Sequence, residues 1–386
     1  MRTITREEVR SHLFQAHHLV TPADSLPEAA GVCGFQNSPP GTWLCAAFNR
    51  LRSCSAWQLQ QELDEGRGIM QAWSLRGAPW IFPLHDAAVY LDALCAEEGE
   101  SWIYTNGLRC CQKEIGVPFS VLLQELMQCL QVLEKEPVVS KQRLDQVLAA
   151  AMLQRIPASL HSLWLSASPF AKGQLYGEAI VSFLLRPASF QRGIAFGPRQ
   201  KGSPTFAAFP NAASKTGGIS DAACCALVCR FLHAYGPGDV KGFAKWTGME
   251  LPQARRLWAL SEHERVSVRY QEREYSIWNK DTYEKQQTDE AVRLLSPHDP
   301  FLDLWDRSLL LEDCKLQHMV WKTVQNPGVV IQCGRICGIW RSKKRKTVNE
   351  LHITLFTDID TKSLHIWIQA YEMFLGQRIL VEISRL

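Results

Sequence analysis

The densest run of chemistry-bearing side chains is Arg341-Ser342-Lys343-Lys344-Arg345-Lys346, five basic residues in six. Cations this close repel one another unless they are solvated or offered an anionic partner, and a polyanion that releases its counterions is such a partner. A solvated, solubilising loop is the competing reading. Arg255 and Arg256 stand side by side, and Arg199 and Lys201 lie in a Gly/Pro loop where they could extend a basic track. Gln36-Asn37-Ser38 places three hydrogen-bonding side chains ahead of Pro39-Pro40. Taken alone, Gln36 reads as a loop glutamine bonded to the turn around those prolines. His17-His18 and His298-Asp299 invite catalytic or metal-binding readings. Adjacent histidines on a helix diverge, however, no third metal ligand is apparent, and His298-Asp299-Pro300 reads as a turn or helix cap. There is no Walker loop, dinucleotide fingerprint or G-x-S-x-G elbow, so neither a metal nor a cofactor is expected.

These residues need a scaffold, and 386 residues with 46% hydrophobic content supply two or three packed domains. With 42 basic against 39 acidic residues, attraction to nucleic acid has to come from local clustering. The N-terminus alternates charged and apolar residues at helical spacing without a signal-peptide core, and no stretch is apolar enough to span a membrane. The expectation is a cytoplasmic protein, favoured as a monomer, with no membrane partner. The thirteen cysteines form no disulfide framework or paired C-x-x-C and read as reduced, small core residues.

The most legible element group runs from Ser220 to Asp281. Ser220 can cap a helix to Ala234, and Tyr235-Gly236-Pro237-Gly238 ends it. Asp239 can cap Val240–Thr247, and Glu250–Ser261 forms a third helix carrying Arg255 and Arg256. Val266–Tyr270 and Tyr275–Trp278 then alternate as a two-stranded ribbon. Three helices and a ribbon make a winged helix, whose last helix fits a DNA major groove. A packing or protein-contact module is the alternative, with Leu251, Ala254, Leu257, Trp258 and Leu260 as a core stripe.

Less regular versions precede it. The first has helices at Thr5–Leu19, Thr42–Leu51 and Ser55–Glu65, then strands at Ile69–Leu75 and Trp80–Phe82 joined through Arg76-Gly77-Ala78-Pro79. The second has helices at Pro118–Leu133, Ser140–Met152 and Gly173–Leu185, then strands near Ile194–Phe196 and Thr205–Phe209. The last region reads as strands at Ser308–Leu311, Gly328–Gln332, Ile336–Arg341, Glu350–Phe356 and Arg378–Ile383, with a helix at Ser363–Leu375. The fold expected is therefore α+β: tandem winged-helix domains over 1–115, 116–215 and 216–290, then a small β-rich domain over 291–386.

Together these segments resemble the AlkZ/YcaQ-like winged-helix DNA glycosylases along nearly the whole chain. The resemblance rests on Gly34-Phe35-Gln36 and Phe48-Asn49-Arg50-Leu51, and on Arg76-Gly77 before a strand. It continues through His233-Ala234-Tyr235-Gly236-Pro237, Phe243-Ala244-Lys245-Trp246-Thr247-Gly248 and Leu294-Leu295-Ser296-Pro297-His298-Asp299-Pro300-Phe301. Asn326-Pro327-Gly328-Val329-Val330 and Gly338-Ile339-Trp340-Arg341 complete it. Each segment is weak singly, and their shared order is specific.

The resemblance implies hydrolysis of the N-glycosidic bond of alkylated purines or crosslinked bases in double-stranded DNA. The family carries Gln-x-Gln or Gln-x-Asp where this chain has Gln36-Asn37-Ser38, so the catalytic candidates are Gln36, Ser38 and Asn37. Ser38 is too short to place an oxygen where the second family side chain does. Either the site is rebuilt, the substrate differs, or hydrolysis is lost and DNA binding remains, as in a regulator or lesion-protecting factor. A winged-helix protein scaffold is a third reading. The family's first-domain hairpin puts Arg76 and Trp80 near the lesion: Arg76 as a phosphate contact or helix cap, Trp80 as a wedge in the base stack or a buried anchor. By the same resemblance, Arg341, Lys343, Lys344, Arg345 and Lys346 form a DNA-contacting hairpin.

Overall fold

Helix boundaries follow the capping chemistry. Thr5 closes a capping box with Glu8 at the start of Arg6–Ala16, and Ser55 does so with Gln58 before Ala56–Asp64. Ser220 accepts from the Ala223 amide before Asp221–Tyr235, and Asp239 accepts from Gly242 before Val240–Thr247. Each cap contributes about 1 kcal/mol and fixes a boundary that apolar periodicity alone leaves open. The computed structural model describes residues 1–210, 218–285, 290–344 and 348–386.

The strands in chain order are β1 (Arg2–Thr3), β2 (Phe35–Gln36), β3 (Ile69–Trp73), β4 (Pro79–Pro83), β5 (Val138–Val139), β6 (Ile194–Gln200) and β7 (Ser203–Ala208). They continue with β8 (Arg265–Tyr270), β9 (Arg273–Trp278), β10 (Arg293–Leu295), β11 (Gly328–Gln332), β12 (Arg335–Lys344), β13 (Val348–Leu355) and β14 (Arg378–Arg385). They form four sheets, ordered β2-β4-β3, β5-β7-β6, β1-β8-β9 and β10-β11-β12-β13-β14. The order of helices followed by an antiparallel hairpin recurs at β3-β4, β6-β7 and β8-β9, and the five-stranded sheet closes an α+β fold. In the third unit Asp221–Tyr235, Val240–Thr247 and Leu251–Leu260 precede the β8-β9 ribbon. The ribbon turns at Gln271 and Glu272, both with positive φ, as a two-residue hairpin loop requires.

Some expectations change. β1 pairs in parallel with β8, so the start of the chain widens the ribbon of the third unit. Ser308–Leu311, expected as a strand, is a 3-10 turn at Arg307–Leu309. Leu309, Leu310 and Leu311 are all buried, and an apolar run without alternation does not distinguish a strand from a buried helical turn. The helices Leu26–Gly31 and Cys314–Val320 and the short strands β2 and β10 were not expected. No disulfide links the described cysteines, and no helix among the described residues is long and apolar enough to cross a membrane.

The small sheet β2-β4-β3 touches every core. Trp80 and Phe82 on one face of β4 belong to the core that also holds Phe14, Phe231, Trp246 and Phe301. Ile81, on the other face, belongs to the core that also holds Phe35, Trp43, Trp340 and Trp367. Trp73 at the end of β3 enters the core of the 108–206 segment with Phe196 and Phe206. Alternate residues of a strand face opposite sides, so this sheet is clamped on both faces and holds what it carries in fixed relation to the other regions.

Candidate nucleic-acid interface and active site

Gln36 ends β2, where it is paired with Trp80 of β4. The Asn37 amide donates to the Pro79 carbonyl, and the Thr42 hydroxyl donates to the carbonyls of Gln36 and Pro39. The backbone at Gln36 is thus set by strand pairing and by the first turn of Thr42–Phe48. The half-buried Gln36 side chain accepts at Oε1 from Arg76 Nη2 at 3.0 Å, and its amide nitrogen meets no hydrogen-bond partner among the described residues. Gln36 is therefore held by a side-chain partner and not by the prolines.

Asn37 is buried, and both ends of its amide are used. Its Oδ1 accepts from the Gly41 amide at 2.7 Å and its Nδ2 donates to Gln71 Oε1 at 3.1 Å. It organises the loop beneath Gln36. Ser38 is half-buried beside it.

Arg76 is the hub of the site. Its guanidinium donates to the Trp246 carbonyl at 2.8 Å, to Gln36 Oε1 at 3.0 Å and to Asp303 Oδ2 at 2.8 Å, and it lies 5.4 Å from the Trp80 ring centre. The planar fork suits three fixed acceptors in a way that an ammonium does not. Arg76 has φ 57°, in the left-handed region, a conformation that costs a residue with a side chain about 1 kcal/mol or more and marks a position fixed by its surroundings. Three of its five N–H donors are thus engaged within the protein, which makes Arg76 an organiser of Gln36 and Asp303 besides any phosphate contact.

Asp303 ends a 3-10 turn, Pro300–Asp303, that Asp299 caps by accepting from the Phe301 amide at 3.0 Å. The cap expected at 298–300 is therefore present. Asp299 is also held in a buried two-point pair with Arg50, at 2.7 and 3.0 Å. His298 lies within electrostatic reach of Asp303 and Arg76, and burial pushes its pKa down, so near pH 7 its imidazole is neutral.

Beyond Arg76 opens a cleft of about 210 Å³ bordered by Lys245, Asp303, Arg307, Lys322 and Asn326. Four cations face one carboxylate there. The Trp246 indole N–H and Asn326 Oδ1 are buried without hydrogen-bond partners among the described residues, and both residues border the same cleft. Such a cavity suits an anionic ligand with both accepting and donating groups. Lys245, Asp303, Arg307, Lys322 and Asn326 were not singled out from sequence, because nothing in their spacing indicates convergence. The ordered segments around Lys245, Trp246 and Asn326 were the one available signal.

The other sequence candidates are placed less uniformly. Trp80 is fully buried, and its indole N–H donates to the Leu75 carbonyl at 3.0 Å. It is an anchor, and the base-stack wedge is ruled out because the ring has no exposed surface. Arg255 is exposed, whereas Arg256 is gripped by Glu100 at 2.8 Å and Glu97 at 3.0 Å, so Arg256 is not an available groove reader. Arg199 and Lys201 are exposed at the tip of the β6-β7 hairpin, where Arg199 donates to the Gly202 carbonyl.

Arg341 and Lys343 are exposed and stand within β12, opposite His352 and Glu350 of β13, and not in a turn. Only the backbone of Lys344 is described, and Arg345 and Lys346 lie outside the described residues. β11 ends its pairing at Gly328–Trp340, two residues after Asn326. The basic extension of β12 thus begins beside the segment that borders the cleft, which relates the two basic features through the chain.

The family model for AlkZ-like DNA glycosylases matches residues 29–372. Among solved structures, the Streptomyces sahachiroi DNA glycosylase AlkZ superposes over 100% of both chains with a TM-score of 0.73 at 18% sequence identity, a likeness of fold. No functionally curated protein sequence matches the chain. With the family model covering most of its length, the chain belongs to the AlkZ-like DNA glycosylase family.

Proposed function

We propose that the protein is a monofunctional DNA glycosylase that hydrolyses the N-glycosidic bond of N7-alkylated purines or interstrand-crosslinked bases in duplex DNA. The observation that carries this reading is the fixing of Gln36 Oε1 by Arg76 at the rim of a basic cleft. An N7-alkylated purine is already cationic and leaves readily, so the protein has to orient water and stabilise an oxocarbenium-like sugar. A carbonyl oxygen has two lone pairs. Arg76 uses one on Gln36, and the other can accept from the attacking water.

Asp303 shares Arg76 with Gln36 and supplies a negative charge from a distant segment, in place of the side-chain arm that Ser38 is too short to offer. Lys245, Arg307 and Lys322 hold the phosphates beside the lesion, with Arg341, Lys343, Lys344, Arg345 and Lys346 as a second contact and Arg199, Lys201 and Arg255 as outlying ones. The protein acts as a monomer in the cytoplasm, with the 216–290 unit and the 291–386 domain gripping the duplex.

The test is incubation with duplex carrying N7-methylguanine or a crosslink, followed by detection of abasic sites. Wild type yields product, Gln36→Ala lowers turnover about a hundredfold, in the range of lost transition-state hydrogen bonds, and Ser38→Gln raises it. Turnover that survives Gln36→Ala refutes the assignment. No product over a panel of cationic lesions, with salt-sensitive duplex binding retained, selects the second reading: a non-catalytic DNA-binding protein that regulates or protects. That reading draws on Ser38 and on the commitment of the Asn37 amide to its own loop.

A further inference from the structure

Away from the cleft, three distant segments bring His12, His233 and Asp281 together, with one ligand-capable atom of each within 4.8 Å of the others. His12 belongs to the Arg6–Ala16 helix, His233 to the Asp221–Tyr235 helix, and Asp281 follows β9. His233 Nδ1 is 2.7 Å from Asp281 Oδ1, and His12 Nε2 is 3.6 Å from Asp281 Oδ2. The Asp281 carboxylate is 4% exposed, and Oδ2 is buried with no hydrogen-bond partner among the described residues. A buried carboxylate oxygen without a partner is costly, and a cation between it and the two imidazoles removes that cost.

We propose that His12, His233 and Asp281 bind one divalent transition-metal cation of the zinc class, joining the N-terminal helix to the third helical unit. Two imidazole nitrogens and one carboxylate suit Zn²⁺, whereas Mg²⁺ and Ca²⁺ take all-oxygen sites. Metal–ligand lengths of about 2.0–2.2 Å are reached from the present separations by small side-chain shifts.

Coordination through His12 Nε2 replaces its 2.9 Å contact with the His233 carbonyl. The Thr282 backbone hydrogen-bonds the same ring, and Tyr283 stacks on it at 4.2 Å, so the ring is oriented from outside the metal shell. His233 also borders a cavity of about 730 Å³, which gives the ion a route in and leaves room for a water as fourth ligand. The site is structural: its three ligands come from three segments, and it lies apart from Gln36.

The experiment uses the full chain, stripped with chelator and titrated with Zn²⁺ by calorimetry. One saturable site per chain is expected, with a melting temperature raised by about 3–6 °C at a hundredfold excess over Kd. Asp281→Asn, close in shape to the native residue, and His12→Ala abolish both effects. Cys225 and Cys229 border the same cavity and are the competing ligands, so Cys225→Ser with Cys229→Ser must leave the site intact. Co²⁺ in place of Zn²⁺ gives visible d–d absorption without a thiolate charge-transfer band. Absence of a stoichiometric site, undiminished binding in Asp281→Asn, or loss in the double serine variant overturns the proposal.

Discussion

Arg76 shows how far a side chain's role can lie from its local sequence. It was legible as a cation beside a hairpin turn, and phosphate contact was the natural expectation. Its partners Trp246 and Asp303 are 170 and 227 positions away, separations on which local pattern carries no information. Gln36 was legible through the ordered segments around it, whereas its contact with Arg76 was not. If the guanidinium aligns Gln36, Arg76→Lys keeps the charge and loses the fork. Turnover on an N7-methylguanine duplex is then expected to fall about tenfold, with duplex affinity at matched salt changing less than twofold. An equal loss in both would make Arg76 a DNA contact after all.

At the scale of elements, Gly248 ends Val240–Thr247 in the left-handed conformation, with φ 82°. A Cβ at Gly248 would lie 2.9 Å from Arg76 Cα, so the helix end and the Arg76 turn fit only while position 248 lacks a side chain. Gly248→Ala combines an unfavourable φ with a backbone clash, and about 1–3 kcal/mol of destabilisation is expected from urea unfolding midpoints. An unchanged midpoint would mean that the two turns separate freely. Elements with strong caps, such as Val240–Thr247, were read correctly to the residue, because Asp239 and Gly248 mark both ends. In elements with both faces covered, the strand at Trp80–Phe82 was read and its surroundings were not. Trp80-Ile81-Phe82 has no polar alternation to show which side faces solvent, and neither side does. The same lack of alternation made Leu309-Leu310-Leu311 look like a strand.

For the molecule as a whole, three buried or half-buried histidines set a pH dependence. His17 is enclosed, with Nε2 2.8 Å from the Ala234 carbonyl, and burial holds its pKa well below the usual value; His12 and His298 are lowered for the same reason. The unfolded chain takes up protons near the ordinary histidine pKa of about 6.5, while the folded chain resists them until lower pH. The stabilisation is therefore complete above about 6.5 and is lost as pH falls through and below that value. Denaturant midpoints should drop between pH 7.5 and 5.5, with a smaller drop in His17→Gln; a midpoint that holds or rises on acidification contradicts this. The four-residue turn Pro300–Asp303 has a further mechanical consequence. Its two ends are fastened to one segment, by Arg50 at Asp299 and by Arg76 at Asp303. Asp303 and Arg76 therefore form a braced wall of the cleft, with Gln36 bonded to Arg76 behind it. Trp321, Lys322 and Asn326 also line the cleft, and the Trp321 indole ties them to the same turn by donating to the Leu302 carbonyl, so a load on either wall is carried into Pro300–Asp303.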